Sequence, residues 1–363
     1  MIFNNIQMVE QDFICSDSFE SSGIVEWNSP SNIALVKYWG KKQNQIPQNP
    51  SISFTLSKCY TNTVVEFKPK KNTQNEIHFK FDGKENQVFE EKVNTYIKSI
   101  DKYFGFLKNH DLYINSKNNF PHSSGIASSA SSMSALASCL VDIESQITSN
   151  DNNFNLRKKS FISRLGSGSA SRSIEGPVTL WGETDAFKES SDLYAVNISH
   201  EVDRIFLDYN NTILIIDPGQ KVISSSLGHE LMNKNPFSKK RFEIAKNNTQ
   251  RLKDILKSGE LDDFITITES EALMIHSLML SSDPYYILMK PNTLAAIYKV
   301  LEFRRETKLH LSFTLDAGSN VHLLYPKSET DIITKFIDNE LLMLCKSKSC
   351  IHDHLGNGAT KIR

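Results

Sequence analysis

The sequence predicts an α+β protein with two lobes. Its 363 residues exceed the roughly 150 residues of one typical compact core, so two folding units with a cleft between them are expected. Hydrophobic residues make up 39% of the chain and charged residues 23%, as in ordinary globular proteins that bury a packed core. Strand-like and helix-like segments alternate through both halves, which favours an α+β arrangement in each lobe.

In the first half, runs rich in β-branched and aromatic residues predict strands, and longer periodic runs predict helices. The predicted strands are Ile33–Tyr38, Ser51–Leu56, Thr61–Phe67, Ile77–Phe81 and Asp111–Asn115. The predicted helices are Glu90–Leu107 and a Ser/Ala-rich segment that continues through Leu140. Gln146–Asn155 is dense in Asn, Asp and Ser and is expected to be an exposed loop. Residues 1–26 are expected to form a tail, and residues 27–195 the first lobe.

The second lobe is expected over residues 196–363. Its predicted strands are Thr212–Ile216, Tyr286–Met289 and a hairpin of Leu311–Leu315 with Asn320–Tyr325. Its predicted helices are Ser238–Lys257, Leu261–Leu278, Thr293–Arg305 and a last helix that starts at a capping box of Ser328 and Asp331. His352 and His354 flank Asp353 without further residues at metal-ligand spacing, so this segment predicts a polar turn and no zinc site.

The charge balance argues against a polyanionic partner. Forty-one basic and 42 acidic side chains give a net charge of -1, so neither nucleic acid nor an anionic membrane is an expected partner. No stretch approaches the ~20 apolar residues that span a bilayer, and residues 1–26 do not resemble a secretion signal. The five cysteines are widely spaced without a CxxC pair, which indicates reduced thiols and a cytoplasmic location.

A Ser/Ala-rich segment is the strongest local signal for chemistry. Residues 119–133, NFPHSSGIASSASSM, lead directly into a predicted helix. Small residues let the backbone approach a polyphosphate, and the helix N-terminus directs N–H groups and a positive dipole end at the anion. The alternative is a small-residue helix that packs tightly against a neighbour.

Three further segments carry candidate site residues. Residues 164–173, RLGSGSASRS, contain Arg172, which can hold a carboxylate or phosphate bidentately, although the segment can also be a flexible serine loop. Residues 29–42, SPSNIALVKYWGKK, place three lysines around Tyr38 and Trp39. The lysines can bind a polyanionic ligand, or they can be ordinary surface residues at a solvated strand end. Asp316 ends an apolar strand before a tight turn, where it can act as a general base or merely cap the turn.

Several well-known enzyme classes lack support in the sequence. It contains no GxxxxGK[ST], no HRD with DFG, no HExxH and no GxSxG, which argues against P-loop, protein-kinase, zincin and α/β-hydrolase enzymes. A Rossmann dinucleotide site is also disfavoured, because Ser171 stands where GxGxxG requires its last glycine.

Taken in order, the four segments resemble the diphosphomevalonate decarboxylase family, a branch of the GHMP kinases. The resemblance extends from about Glu26 to near the C-terminus and is most specific at residues 32–41, 119–130, 166–173 and 315–320. It implies a two-lobed GHMP-kinase fold with a phosphate-binding loop in the N-terminal lobe and a ferredoxin-like C-terminal lobe. It also implies ATP-dependent decarboxylation of mevalonate 5-diphosphate to isopentenyl diphosphate, through phosphorylation of the 3-hydroxyl.

The resemblance implies a role for each matching residue. Asp316 would orient or deprotonate the 3-hydroxyl, and Arg172, positioned by Asn32, would hold the substrate carboxylate. The implied substrate-binding residues are Tyr38, Trp39, Gly40, Lys41, Ser167, Gly168, Ser169, Ala170, Ser171, Arg172 and Ser226. The implied ATP-binding residues are Ser124, Gly125, Ala127, Ser128 and Ser129. Mg2+ would bridge the ATP phosphates without dedicated protein ligands, and a homodimer is expected.

Some positions depart from the family pattern. Residues 121–126 read PHSSGI where PTAAGL is usual, Gly176-Pro177 replaces a Gly-Gly pair, and Ser226 stands at a position that is often Thr. None of these changes removes a charge that the mechanism requires. A related GHMP kinase, a decarboxylase of mevalonate monophosphate and a non-catalytic GHMP-fold binding protein remain alternative functions.

Overall fold

The computed structural model describes residues 8–72, 76–121, 125–219 and 223–363, and within them it contains two β-sheets with helices packed against them. The strands are β1 Gly23–Ala34, β2 Ser51–Pro69, β3 Ile77–Phe81, β4 Lys84–Glu85, β5 His110–Asn118, β6 Val178–Trp181, β7 Ala195–Asn197, β8 Tyr209–Leu214, β9 Ser312–Leu315, β10 Val321–Pro326, β11 Cys350–His354 and β12 Thr360–Lys361. The helices are α1 Gln87–Ile100, α2 Ser128–Glu144, α3 Asn152–Gly166, α4 Arg204–Leu207, α5 Ser225–Leu231, α6 Ser238–Ser258, α7 Leu261–Leu280, α8 Pro291–Thr307 and α9 Thr330–Phe336. The predicted α+β class is confirmed.

The first sheet has the order β12-β1-β2-β5-β3-β4, and β6 pairs with β2 and with β7. β2 is one continuous strand of 19 residues where the sequence predicted two. The predicted strand Ile33–Tyr38 is wrong beyond Ala34, where β1 ends. The backbone N–H groups of Leu35 and Val36 both donate to the Ile52 carbonyl, so the regular ladder stops and the chain leaves the sheet.

The helices of the first lobe differ from their predicted limits at two places. α1 ends at Ile100 and is followed by short 3₁₀ turns, so the predicted extension to Leu107 is wrong. α3 begins inside the segment predicted to be a loop, and no helix was predicted there. The Asp151 side chain accepts a 2.7 Å hydrogen bond from the Phe154 backbone N–H, so polar residues that indicated a loop form a helix N-cap.

The second sheet is antiparallel in the order β11-β8-β10-β9. With helices between β8 and β9 and between β10 and β11, this gives the β-α-β-β-α-β sequence and strand order of a ferredoxin-like lobe, as the resemblance implied. The predicted hairpin is confirmed as β9 and β10, with Val321 opposite Leu315.

Three predictions for the second lobe are wrong. Residues 286–289 form no strand; Tyr286 and Leu288 are buried, but no neighbouring strand pairs with them. The capping box of Ser328 and Asp331 is absent, because α9 begins after Glu329 without a side-chain cap. Residues 350–354 form β11 rather than a polar turn. Its buried Asp353 carboxylate accepts hydrogen bonds from three backbone N–H groups of residues 57–59, at 2.7–3.1 Å.

One apolar core joins residues of both lobes. The Phe54 ring of β2 lies 5.8 Å from Phe264 of α7, and Phe264 lies 4.8 Å from Phe206 of α4. Short strands also pair across the predicted boundary at residue 195: β7 pairs with β6, and β12 pairs with β1 at the C-terminus. The domain limits themselves stay predictions, and the shared core indicates that the two lobes pack closely.

The residues before β1 pack against the first lobe. Phe13 is fully buried and stacks on Phe161 of α3 at a ring separation of 4.4 Å. Glu10 accepts hydrogen bonds from the Tyr103 hydroxyl at 2.5 Å and from Lys102 at 2.8 Å. Among the described residues, no helix is long and apolar enough to cross a bilayer.

Candidate active site

Arg172 lies in a 3₁₀ turn, Gly168–Ser173, which follows α3. Its guanidinium is buried beneath the Trp181 ring, 6.0 Å from the ring centroid, and donates a hydrogen bond to the Ser51 hydroxyl. The Asn32 side-chain amide donates to the Ser169 carbonyl at 3.1 Å and to the Ser173 hydroxyl at 2.8 Å. Asn32 therefore holds the turn on both sides of Arg172 and does not contact the guanidinium through these bonds.

Lys37 lies beside Arg172 and Asp316 in the fold, although the three residues are far apart in sequence. The Lys37 side chain is only 2% exposed, and its Nζ has no hydrogen-bond partner among the described residues. Burial lowers the pKa of Lys37 to about 8, while the nearby Asp316 carboxylate opposes that shift. Burial also lowers the pKa of Arg172 to about 10, again opposed by Asp316.

These charges make a receptor for an anion. Arg172 Nε, like Lys37 Nζ, is buried without a hydrogen-bond partner in the described part of the chain. A buried cation with unsatisfied donors is costly unless a ligand pairs with it. Two such cations beside one carboxylate leave a local excess of positive charge, which an anionic group such as a carboxylate would compensate.

Asp316 follows β9 and is held through its own backbone. The buried His276 imidazole of α7 donates from Nε2 to the Asp316 carbonyl at 3.2 Å, and the Gly318 N–H donates to the same oxygen at 2.7 Å. Burial lowers the pKa of His276 to about 4, so the ring is neutral near pH 7. His276 of α7 therefore holds the turn that the sequence predicts at residues 316–319.

Tyr38 packs directly against the Gly/Ser turn. A Cβ atom added at Gly168 would lie 2.6 Å from the Tyr38 hydroxyl, so only glycine permits this approach. The hydroxyl is buried without a hydrogen-bond partner among the described residues, and burial raises the pKa of Tyr38. Tyr38 therefore presents an unused donor next to Ser167 and Ser169, whose hydroxyl oxygens are 3.4 Å apart.

The predicted phosphate loop meets this turn at the start of α2. The Ser129 and Ser167 hydroxyl oxygens are 3.4 Å apart, and Ser31 donates to the Ile126 carbonyl at 2.5 Å. Gly125 has φ +81°, and a Cβ there would lie 3.4 Å from the Gly318 Cα, so this loop also borders the Asp316 turn. Ser124 lies outside the described residues.

The remaining predicted site residues lie around the same region. Ala127 is the residue before α2, and Ser128 is its first residue. Ala170 and Ser171 are buried within the turn that carries Arg172, where the Ser171 hydroxyl donates to the Gly168 carbonyl at 2.9 Å. The Lys41 ammonium donates to the Gln45 side chain at 2.9 Å.

Ser226 is exposed in α5, the helix that supports the segment containing Trp39 and Gly40. The helix packs closely on this segment at Gly228, where an added Cβ would lie 2.6 Å from the Trp39 ring. The substrate-contacting roles assigned to these residues stay predictions.

Sequence reasoning did not single out several residues of this region. The sequence marks Lys37 only as one of three lysines that suit a polyanionic ligand, and it does not predict the proximity of Lys37 to Arg172 and Asp316. Glu271 of α7, fully buried, accepts a hydrogen bond from the Lys37 N–H at 2.8 Å. His229 of α5 accepts one from the Gly40 N–H at 2.9 Å. No spacing pattern connects these residues to residues 37–40, because the contacts arise from packing between the two lobes.

Comparison with known proteins agrees with this architecture. A family model described as "Diphosphomevalonate decarboxylase-like N-terminal domain" matches residues 29–194, and one described as "Mevalonate 5-diphosphate decarboxylase C-terminal domain" matches residues 211–358. The diphosphomevalonate decarboxylase of Ganoderma lucidum is 26% identical over 85% of this chain and 80% of its own length. That of Saccharomyces cerevisiae is 26% identical over 85% of this chain and 79% of its own length.

Solved structures give the same result. Mevalonate diphosphate decarboxylase from Staphylococcus aureus superposes with a TM-score of 0.81 at 28% identity, covering 94% of this chain and 99% of that one. The structure of the Legionella pneumophila enzyme gives a TM-score of 0.76 at 27% identity, covering 91% of this chain and 100% of that one. Together the two family models span both lobes from residue 29 to residue 358. The chain therefore belongs to the diphosphomevalonate decarboxylase family and has its two-lobed GHMP-kinase fold.

Proposed function

We propose that this protein catalyses the ATP-dependent decarboxylation of mevalonate 5-diphosphate to isopentenyl diphosphate, with release of ADP, phosphate and CO2. The observation that carries the proposal is the pair of buried cations, Lys37 and Arg172, beside the Asp316 carboxylate. The substrate offers both groups that this arrangement suits: a carboxylate for the cations and a tertiary hydroxyl for Asp316. Membership of the family supports the same activity.

In the proposed reaction, the substrate carboxylate pairs with Arg172 and Lys37, and Asp316 accepts or orients the proton of the 3-hydroxyl. The hydroxyl oxygen attacks the γ-phosphorus of ATP, and the bond to the β-phosphate oxygen breaks to release ADP. The C3–O bond of the phosphorylated substrate then breaks, and the oxygen leaves with the phosphate group. The electron pair of the bond to the departing carboxylate forms the double bond, and CO2 leaves.

The substrate diphosphate would lie against the Tyr38 hydroxyl and the Ser167–Ser169 turn. The support is the unused Tyr38 donor next to the two serine hydroxyls, with Lys41 adding a positive charge. Lys41 is about half-buried, and burial lowers its pKa while the nearby Glu230 opposes the shift. The backbone of Trp39 and Gly40 and the hydroxyl of Ser226 would line the same subsite.

ATP would place its phosphates at the N-terminus of α2, where backbone N–H groups and the Ser128 and Ser129 hydroxyls are available. Mg2+ would accompany the nucleotide. Its ligands would come mainly from phosphate oxygens and water, which Mg2+ accepts readily. When bound, the ion neutralises charge on the phosphates.

The direct test is to incubate the purified protein with ATP, Mg2+ and mevalonate 5-diphosphate and to measure ADP, phosphate and CO2 together. Equal release of all three is the expected result. ADP without CO2 would instead indicate a kinase, and turnover of mevalonate 5-phosphate alone would indicate the monophosphate decarboxylase. No ADP with any of these substrates would overturn the assignment.

Asp316→Asn tests the assigned role within that assay. The amide cannot accept the hydroxyl proton, so kcat should fall by about 10²–10⁴-fold while mevalonate 5-diphosphate still binds. A fully active Asp316→Asn enzyme would refute the role of Asp316 without refuting the overall reaction.

A homodimer is part of the same proposal. The exposed side chains of Leu294, Tyr298 and Leu301 lie on one face of α8, at spacings of four and seven residues. Leu273 of α7 lines an adjoining groove with Arg304. An exposed apolar face of this kind is typical of a subunit interface. Light scattering should give a dimer for the native protein and a monomer for Tyr298→Lys.

A cytoplasmic location completes the proposal. The five cysteines, Cys15, Cys59, Cys139, Cys345 and Cys350, are all free thiols, and three of them are buried. Unpaired cysteines are typical of proteins in reducing compartments.

A further inference from the structure

Three side chains of the second lobe hold the backbone of residues 37–40. At one end, the Lys37 N–H donates to the Glu271 carboxylate at 2.8 Å, and the Lys37 carbonyl accepts from Arg241 at 3.4 Å. At the other end, the Gly40 N–H donates to Nδ1 of His229 at 2.9 Å. Segment 37–40 belongs to the first lobe by sequence, yet its backbone conformation depends on α5, α6 and α7.

The protonation state of His229 follows from its hydrogen bond. Nδ1 accepts the Gly40 N–H, so it carries no proton, and the neutral imidazole has its proton on Nε2. The ring is 7% exposed and lies between two aromatic rings, with its centroid 4.4 Å from Tyr38 and 4.6 Å from Trp39. His229 therefore contacts three consecutive residues, two through ring packing and one through a hydrogen bond.

The opposite end is fixed by a buried ion pair. Glu271 is fully buried and receives hydrogen bonds from Arg241 at 2.5 Å and from the Asn248 amide at 2.7 Å. With its charge compensated, the carboxylate stays a strong acceptor for the Lys37 N–H. Because this end is rigid, a change at His229 should alter the position of Tyr38, Trp39 and Gly40 rather than release the whole segment.

We propose that His229 is a positioning residue for binding of the substrate diphosphate. Its imidazole fixes the Gly40 backbone and orients Tyr38, whose buried hydroxyl faces the Gly168 turn. This inference rests on the proposed function, because it assigns the diphosphate to Tyr38 and Lys41. His229 does not contact the reacting atoms in this account; it lowers the cost of ordering the segment when the ligand binds.

Substitutions can separate the hydrogen bond of His229 from its packing. His229→Phe keeps an aromatic ring between Tyr38 and Trp39 but removes the acceptor for Gly40. His229→Asn loses the ring but can place its Oδ1 where Nδ1 accepts. His200→Phe is the matched control, because the His200 side chain is exposed and outside this region.

The measurement is kcat and KM for mevalonate 5-diphosphate, KM for ATP, and thermal unfolding of each variant. We expect His229→Phe to raise KM for mevalonate 5-diphosphate by about 5–10-fold, the effect of one lost hydrogen bond, with kcat changed less than about twofold. His229→Asn should recover most of the increase, and His200→Phe should behave like the native protein.

Two results would overturn the proposal. One is an unchanged KM in a folded His229→Phe protein; the other is an equal rise in KM in the Phe and Asn variants, which would assign the effect to packing. If His229→Phe does not fold, His229→Leu also removes the acceptor and, like His229→Asn, the ring, so a larger rise in KM for Leu than for Asn would support the role of the hydrogen bond. A native protein that does not turn over mevalonate 5-diphosphate would refute the proposed function, whereas an active one with insensitive variants refutes only the role of His229.

Discussion

Raising the pH above 8 should weaken substrate binding mainly through Lys37. Its pKa is lowered to about 8 by burial, and the carboxylate of mevalonate 5-diphosphate requires the protonated ammonium. With that pKa, about nine tenths of the free enzyme carries the charge at pH 7 and about one tenth at pH 9. The value of kcat/KM, which reports the free enzyme, should therefore fall about tenfold between pH 7 and pH 9.

The assay is CO2 release from mevalonate 5-diphosphate at saturating ATP, measured at intervals between pH 7 and pH 9.5. Phosphate groups ionise near pH 6, so ionisation of the substrate contributes little in this range. A bound carboxylate favours the ammonium form, so kcat should decline at higher pH than kcat/KM does. In Lys37→Arg the guanidinium stays charged throughout, so the alkaline decline should disappear even if the overall rate is lower.

Lys159 provides the matched control. Its pKa is also lowered to about 8 by burial, but it lies over the Trp27 ring at 3.8 Å, near Asp142 and outside the candidate site. Lys159→Met should therefore keep the alkaline decline of the native protein. A flat profile in the native protein, or a decline that persists in Lys37→Arg, would refute the assignment of this titration to Lys37.

Two further outcomes are expected from substitutions. Arg172→Lys loses the planar donor pair of the guanidinium, and kcat/KM for mevalonate 5-diphosphate should fall by at least about 30-fold, equivalent to roughly 2 kcal/mol; a change below threefold would contradict a carboxylate contact. Phe13→Ala should lower the free energy of unfolding in urea by about 3–5 kcal/mol, because the ring is fully buried against Phe161. Val9→Ala, at an exposed position, should change it by less than about 0.5 kcal/mol, and equal effects would refute the packing argument.

Long periodic segments were predicted well from sequence. The helices at residues 238–258 and 261–280 begin where they were predicted to begin. Their apolar residues recur at helical spacing and form one face that packs against the core, so the pattern can be read from the local sequence. Residues 286–289 show where the same approach fails. Tyr286 and Leu288 are 7% and 8% exposed, whereas Tyr285 and Ile287 are 72% and 59% exposed. The alternation of buried and exposed residues is real, but a strand also requires a pairing partner, which local sequence does not encode.

The candidate site was predicted in part for a similar reason. Arg172 and Asp316 lie in segments with a distinctive local pattern, so their importance could be inferred before their proximity was known. His229 and Glu271 have no such pattern. They accept hydrogen bonds from backbone N–H groups of residues 37–40. Every segment of a chain has such donors, so the sequence does not show which N–H group each side chain contacts. The packing of the two lobes determines these pairs.

The charges at the site also bear on which step of the proposed reaction the protein accelerates. Lys37 and Arg172 attract the substrate carboxylate, but that charge disappears when CO2 leaves, so their attraction stabilises the bound substrate more than the departing CO2. An interaction that is stronger in the ground state than in the transition state does not raise kcat. The two cations therefore serve binding and orientation, and the driving force for loss of CO2 must come from departure of the phosphate at C3.

As the C3–O bond to the phosphate breaks, C3 becomes electron-deficient and accepts the electron pair of the breaking C–C bond. Phosphorylation assisted by Asp316 is accordingly required before decarboxylation, and the Asp316→Asn protein should release neither ADP nor CO2 at an appreciable rate.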